Sequence, residues 1–222
     1  MLRLAIFDFD GTLSARDTLP LVGREWLRQG RSRARYAAVY LRIIPWVAAQ
    51  RAGVLSRERM KEAAVTRFHS MFAGMTAGDI DDFFRRAWGE LRLRLVAPVA
   101  AEVARARDAG FHLVLLSGAY QQLLERAGEE LGFDTVLGVR LHGADEGAAG
   151  PATPPCIDGA RKLVLLRQRF PEGVDWAAST AYADSWDDLP LLQAVGLPVA
   201  VNPEPRLRAH AQREGWRVLD AC

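Results

Sequence analysis

Short apolar runs closed by polar turn residues recur along this chain, and stretches of helical period lie between them. RLAIFD (Arg3 to Asp8) is compact and apolar and predicts a buried strand. FHLVLLSGA (Phe111 to Ala119) predicts a second, stronger one, preceded by a helical pattern from Val96 to Ala109. AASTAYAD (177–184) is a third candidate, weakened by its alanines, and LPVAVN (197–202) and WRVL (216–219) are a fourth and fifth. Further helical patterns cover Tyr120 to Leu131, Arg161 to Phe170, Leu189 to Val195 and Arg206 to Arg213. Strands alternating with helices predict an α/β fold: a doubly wound, mostly parallel sheet of Rossmann-like type. Such a sheet takes its ligands beyond the carboxyl ends of its strands.

Between the first strand and the helix at Val96 the strand pattern disappears for about 80 residues. Apolar positions there recur at helical spacing, as in Phe68, Met71, Phe72 and Met75, and Gly30, Gly53, Gly74 and Gly78 punctuate them. The expected organisation is a core of residues 1–13 and 96–222 with an α-helical cap domain, 14–95, inserted after the first strand. GADEGAAGPATPPC (143–156) reads as an exposed loop.

Composition adds a division of charge. The 222 residues are half hydrophobic and carry a formal net charge of only +2. Yet twelve basic residues face four acidic ones between Ser14 and Arg67. The expected cap is therefore strongly basic and the remainder acidic. Cys156 and Cys222 form no disulfide or metal-ligand pattern, and the opening apolar run is too short for a signal peptide. YAAVYLRIIPWVAAQ (36–50) carries Arg42 and Pro45 and is short of the roughly 20 residues that span a bilayer. These features predict a cytoplasmic protein, with peripheral contact at the inner membrane surface left open. His69, His112, His142 and His210 show no ligand spacing, and no chemistry is assigned to them.

Candidate chemistry gathers where the strands end. Asp8 and Asp10 flank Phe9 at the end of the first strand, Gly11 permits a tight turn, and Thr12 can offer its hydroxyl and N–H to the substrate. A carboxylate can attack phosphorus and form an aspartyl-phosphate, given a second group to handle protons. Two anions beside an anionic phosphate need a cation, and Mg²⁺ held by carboxylates supplies one. Ser117 and Gly118 stand between the second strand and a helix, a junction that can bind phosphate or simply cap the helix. Lys162 opens a helix where the dipole disfavours it and can hint at an anionic partner, although in isolation a solvated surface lysine is the better reading. It is one of only two lysines, with Lys61, in an arginine-rich chain. In YADSWDDLPLL, Asp184 ends the third strand, and Asp187 and Asp188 follow at the start of a helix. Asp184 can complete a metal site with Asp8, Asp188 can hold the lysine or a metal-bound water, and Asp187 suits a helix cap.

The ordered set DFDGT, LLSGA, GARK and YADSWDDLPLL resembles the four motifs of the haloacid dehalogenase-like superfamily. It further resembles the phosphoserine phosphatase-like branch, near the phosphatidylglycerophosphatase C and CicA-like group. Carried over residue by residue, the resemblance implies Asp8 as nucleophile, Asp10 as general acid/base and Lys162 as the cation beside the nucleophile. It implies phosphoryl binding by Ser117, and Mg²⁺ held by Asp8, Asp184, the Asp10 backbone carbonyl and, directly or through water, Asp188. The first strand is expected at the centre of the sheet. Asp17 falls where phosphoserine enzymes carry a glutamate that meets the substrate amine, and Ala183 departs from the usual Gly or Ser.

Two functions follow. The first is a Mg²⁺-dependent phosphomonoesterase acting on a small or lipid-linked phosphate ester of phosphoserine, histidinol phosphate or phosphatidylglycerophosphate type. Asp10 argues against a dehalogenase, which lacks that second aspartate. The second is a catalytically weak core whose basic cap binds anionic lipid or another anionic partner. No nucleic-acid motif accompanies the charge, so nucleic acid is not expected.

Overall fold

The computed structural model describes residues 1–146, 157 and 159–221. Six strands form one sheet: β1 (Leu4–Phe7), β2 (His112–Tyr120), β3 (Thr135–Val139), β4 (Thr180–Ala183), β5 (Leu197–Val201) and β6 (Arg217–Leu219). Their order is β3-β2-β1-β4-β5-β6, every pairing is parallel, and β1 lies at the centre. All four β1 residues are buried because both faces of the sheet are covered. Ala5 and Phe7 join Leu113, Leu115 and Tyr182 on one face, against α5 (Ala97–Asp108) and α6 (Gln121–Leu131). Leu4 and Ile6 join Val114, Leu116 and Ala181 on the other, against α7 (Gly159–Arg169), α8 (Leu189–Gln193) and α9 (Pro205–Arg213). The period-2 alternation of a strand thus divides one apolar run between two cores.

β3 is a strand that the hydrophobic pattern does not predict. Its TVLGV is short, interrupted by Gly138 and only partly buried. It forms because the edge of β2 offers a ladder, and two local ties fix its start. The Leu113 N–H donates to Asp134 Oδ2 at 2.7 Å, and His112 Nε2 lies 2.9 Å from Thr135 Oγ1. The cysteines, and the expected exposed loop from residue 147 onward, lie outside the described residues.

The segment after β1 is helical throughout its described elements: α1 (Thr18–Arg28), α2 (Arg33–Arg51), α3 (Arg57–His69) and α4 (Ala77–Leu91), with single 3₁₀ turns after α3 and α4. Local chemistry starts these helices. Ser32 and Ser56 accept from the backbone of Arg35 and Arg59, and Thr76 with Asp79 forms a reciprocal capping box before α4. The segment leaves and returns through paired chains: the Val96 N–H donates to the Leu13 carbonyl at 2.9 Å and the Ala15 N–H to Arg94 at 3.2 Å. Trp26, Phe72, Phe83 and Phe84 form its aromatic centre, which meets Tyr120 at the end of β2. Among the described residues, no helix is long and apolar enough to cross a membrane.

Candidate active site

The carboxyl ends of β1, β2 and β4 converge with α7 and the 3₁₀ turn before α8 on a cavity of about 390 Å³, roofed by residues of α1, α2 and α3. β1 delivers Asp8, which stays in the ladder through its N–H bond to the Tyr182 carbonyl at 3.0 Å. The chain then turns at Gly11, whose φ of +77° suits a residue without a side chain. A Cβ there would also fall inside the Asp184 carboxylate, so glycine lets β1 and β4 bring their acids together.

Lys162 is not a surface lysine. It is buried, and its Nζ lies 2.8 Å from Asp8 Oδ1 and 2.8 Å from Asp188 Oδ1. Burial alone would push its pKa down, but Asp188 and Asp8 hold it above the ordinary range. Burial pushes Asp188 up to about 6, against the lowering effect of Lys162. Burial, then Asp8 and Asp188, raise Asp184 to about 7. Asp8, Asp184 and Asp188 each offer a carboxylate oxygen within 4.8 Å of the others. This is a compact set of hard oxygen donors, and its surplus of negative charge over one lysine suits a divalent cation. The residues therefore fit Mg²⁺.

Asp10 faces another way. Its Oδ1 accepts the Thr18 N–H and its Oδ2 the Thr18 hydroxyl, both at 3.0 Å, at the start of α1. Burial, with the charges of Asp8 and Asp17, pushes its pKa up to about 8. A carboxyl held there keeps its proton at neutral pH. Thr12 is buried and its hydroxyl reaches Asp184 Oδ1 at 3.5 Å. Asp17, exposed, lies at the rim.

Ser117 and Gly118 line the cavity, but not as a helix start. β2 runs on to Tyr120 through a register shift after Leu116, and α6 begins only at Gln121. A Cβ on Gly118 would meet the Ile157 carbonyl oxygen at 2.9 Å. Asp187 is not the helix cap. Ser185 accepts the Asp187 N–H, and the Asp187 carboxylate instead pairs with Lys61 at 2.9 Å.

Lys61 belongs to the roof and was not foreseen as a site residue. Neither were Arg57, which reaches Glu204 at 3.1 Å, nor the apolar Tyr40, Ile43, Met60 and Phe68. One signal was available. Both lysines of the chain line this cavity, whereas most of its many arginines do not.

Residues 5–193 match the sequence profile of haloacid dehalogenase-like hydrolases. The chain is 34% identical to an "Inhibition of morphological differentiation protein" of Streptomyces azureus over 54% of its own length, and spans 44% of that relative. It is 28% identical to a phosphoserine phosphatase of Halobacterium salinarum, over 94% of this chain and 90% of that one. A solved structure of a protein of unknown function from Bordetella pertussis Tohama I superposes with a TM-score of 0.80 at 24% identity, both chains covered in full.

Proposed function

The chain belongs to the haloacid dehalogenase-like hydrolases, and from that premise we propose that it is a Mg²⁺-dependent phosphomonoesterase working through an aspartyl-phosphate. The supporting observation is the buried Asp8–Lys162–Asp188 cluster with Asp184 beside it. In this reading residues 14–95 cap a core formed by 1–13 and 96–222.

Asp8 attacks the phosphorus of the ester, and the bond to the alcohol oxygen breaks. Asp10, fixed by Thr18, gives its proton to that departing oxygen and then takes one from the water that hydrolyses the aspartyl-phosphate. Lys162 offsets the charge of Asp8 as the anionic phosphate approaches, and the Ser117 hydroxyl binds a phosphoryl oxygen. Asp8, Asp184, Asp188 and the Asp10 backbone would hold Mg²⁺, which supplies further charge neutralisation at the phosphoryl group.

The test is phosphate release from 4-nitrophenyl phosphate, with Mg²⁺ and with EDTA, beside Asp8→Asn. Metal-dependent release lost in the variant is the expected result. Release that survives EDTA or Asp8→Asn overturns the mechanism.

A second reading, contact with an anionic membrane surface, draws on α2. Leu41 and Ile44 are 67% and 58% exposed there, with Arg33 and Arg42 exposed on the same helix. Co-sedimentation with phosphatidylglycerol vesicles but not phosphatidylcholine vesicles, abolished by Leu41→Glu with Ile44→Glu, supports it. Equal behaviour toward both vesicles removes it.

A further inference from the structure

The cavity has two unlike ends. At the sheet end lie the acids and Lys162, whereas the roof is built from Leu19, Tyr40, Ile43, Met60, Ala64 and Phe68. The Tyr40 hydroxyl is bonded to Tyr36 and lies against Gly23, so Tyr40 contributes chiefly its ring. Resting on the phosphatase reading, we propose that the alcohol released is apolar, an alkyl or aryl group rather than an amino acid.

Charge pairing carries the proposal as much as the apolar lining. An amino-acid leaving group brings a carboxylate that needs a cation. Among the described residues lining the cavity, each cation already has its partner. Lys162 holds Asp8 and Asp188, Lys61 holds Asp187, and Arg57 holds Glu204. A substrate carboxylate would compete with those pairs while losing its own water beside an apolar wall. Asp17 can meet an amine only at the exposed rim. An alkyl chain or a ring displaces water from the roof and breaks no ion pair.

Binding of unreactive phosphonates to the Mg²⁺-loaded protein, by calorimetry, tests this without requiring turnover. Along methyl-, butyl- and hexylphosphonate the affinity should rise roughly fourfold per added methylene until the roof is covered. 2-Amino-4-phosphonobutanoate, a phosphoserine analogue, should bind more weakly than hexylphosphonate. Ile43→Asn, or Met60→Gln should the first variant lose its fold, should flatten the rise. A flat series, or tighter binding of the amino-acid analogue, overturns the proposal.

Turnover then separates the sources of such an alcohol: hexyl phosphate in solution, phosphatidic acid in mixed micelles, and phosphoserine. Faster release from either of the first two supports the apolar class and names the source. Faster release from phosphoserine overturns it. A rising phosphonate series with no release from any ester would sink the phosphatase reading and leave only the apolar binding preference of the roof. Release with a flat series would sink this inference alone.

Discussion

At the floor of the cavity, Asp8 and Asp188 are packed out of water, each within hydrogen-bonding distance of Lys162 between them. At the roof, α2 and α3 present apolar side chains inward, and the two α3 cations that line the cavity are paired at its edge, Lys61 with Asp187 and Arg57 with Glu204. The floor stands on the ends of parallel strands whose register leaves little freedom. The roof stands on helices that touch the core through the aromatic cluster around Tyr120 and through a few half-exposed ion pairs. In the proposed mechanism the buried charge of the floor performs the chemistry, and in the proposed selection the apolar roof admits the leaving group.

Removing the proposed nucleophile of the floor should have the largest effect. Asp8→Asn is expected to lower phosphate release at least about 10³-fold while the Mg²⁺-free fold persists, read by activity and circular dichroism. An active Asp8→Asn would end the division between floor and roof. Lys162→Met should come next. It strands two buried carboxylates and should cost about 3 kcal/mol of stability in EDTA, with part recovered in Mg²⁺, as measured by denaturant unfolding.

The roof's titration should be smaller. His69, at the end of α3 against Tyr120, has its pKa lowered to about 4 by burial, with Nε2 unpartnered. The unfolded chain takes up a proton near 6.5 that the folded chain refuses until about 4. Stability should therefore be full above pH 6.5 and fall as pH drops, by about 2 kcal/mol between pH 7 and pH 5. His69→Phe should remove that part of the slope in urea titrations at the two pH values.

The smallest effect belongs to the edge. Asp187→Asn releases Lys61, but both side chains are about one-third exposed. A loss of no more than about 1 kcal/mol, or about 2 to 4 °C in Tm, is expected, and it should shrink in high salt. A much larger loss would mean that the roof, like the floor, is held by desolvated charge.

Much of the floor was legible because it lies in short contiguous stretches. The two acids of DFDGT suggest chemistry at one strand end, and the lysine of GARK and the acids of YADSWDD gain their meaning from standing in order with it. The roof residues are scattered over α1, α2 and α3, and a helical pattern there shows that some face is apolar without saying what it faces. β3 was hidden for a related reason: its TVLGV has little burial of its own and owes its strand to the edge of β2.

By itself the sequence determined most of the alternation of strands and helices and the helical character of the segment after β1, and it named the candidates for catalysis. These depend on side-chain period and on neighbours a few residues apart. Only the tertiary structure decided that Lys162 is buried between Asp8 and Asp188, that Asp187 binds Lys61 rather than a helix end, and that Lys61 and Arg57 at the cavity already hold acidic partners. Each of those facts joins residues far apart in the chain. The Coulomb and desolvation energies that govern them depend on distance and burial in space, which a local pattern does not carry.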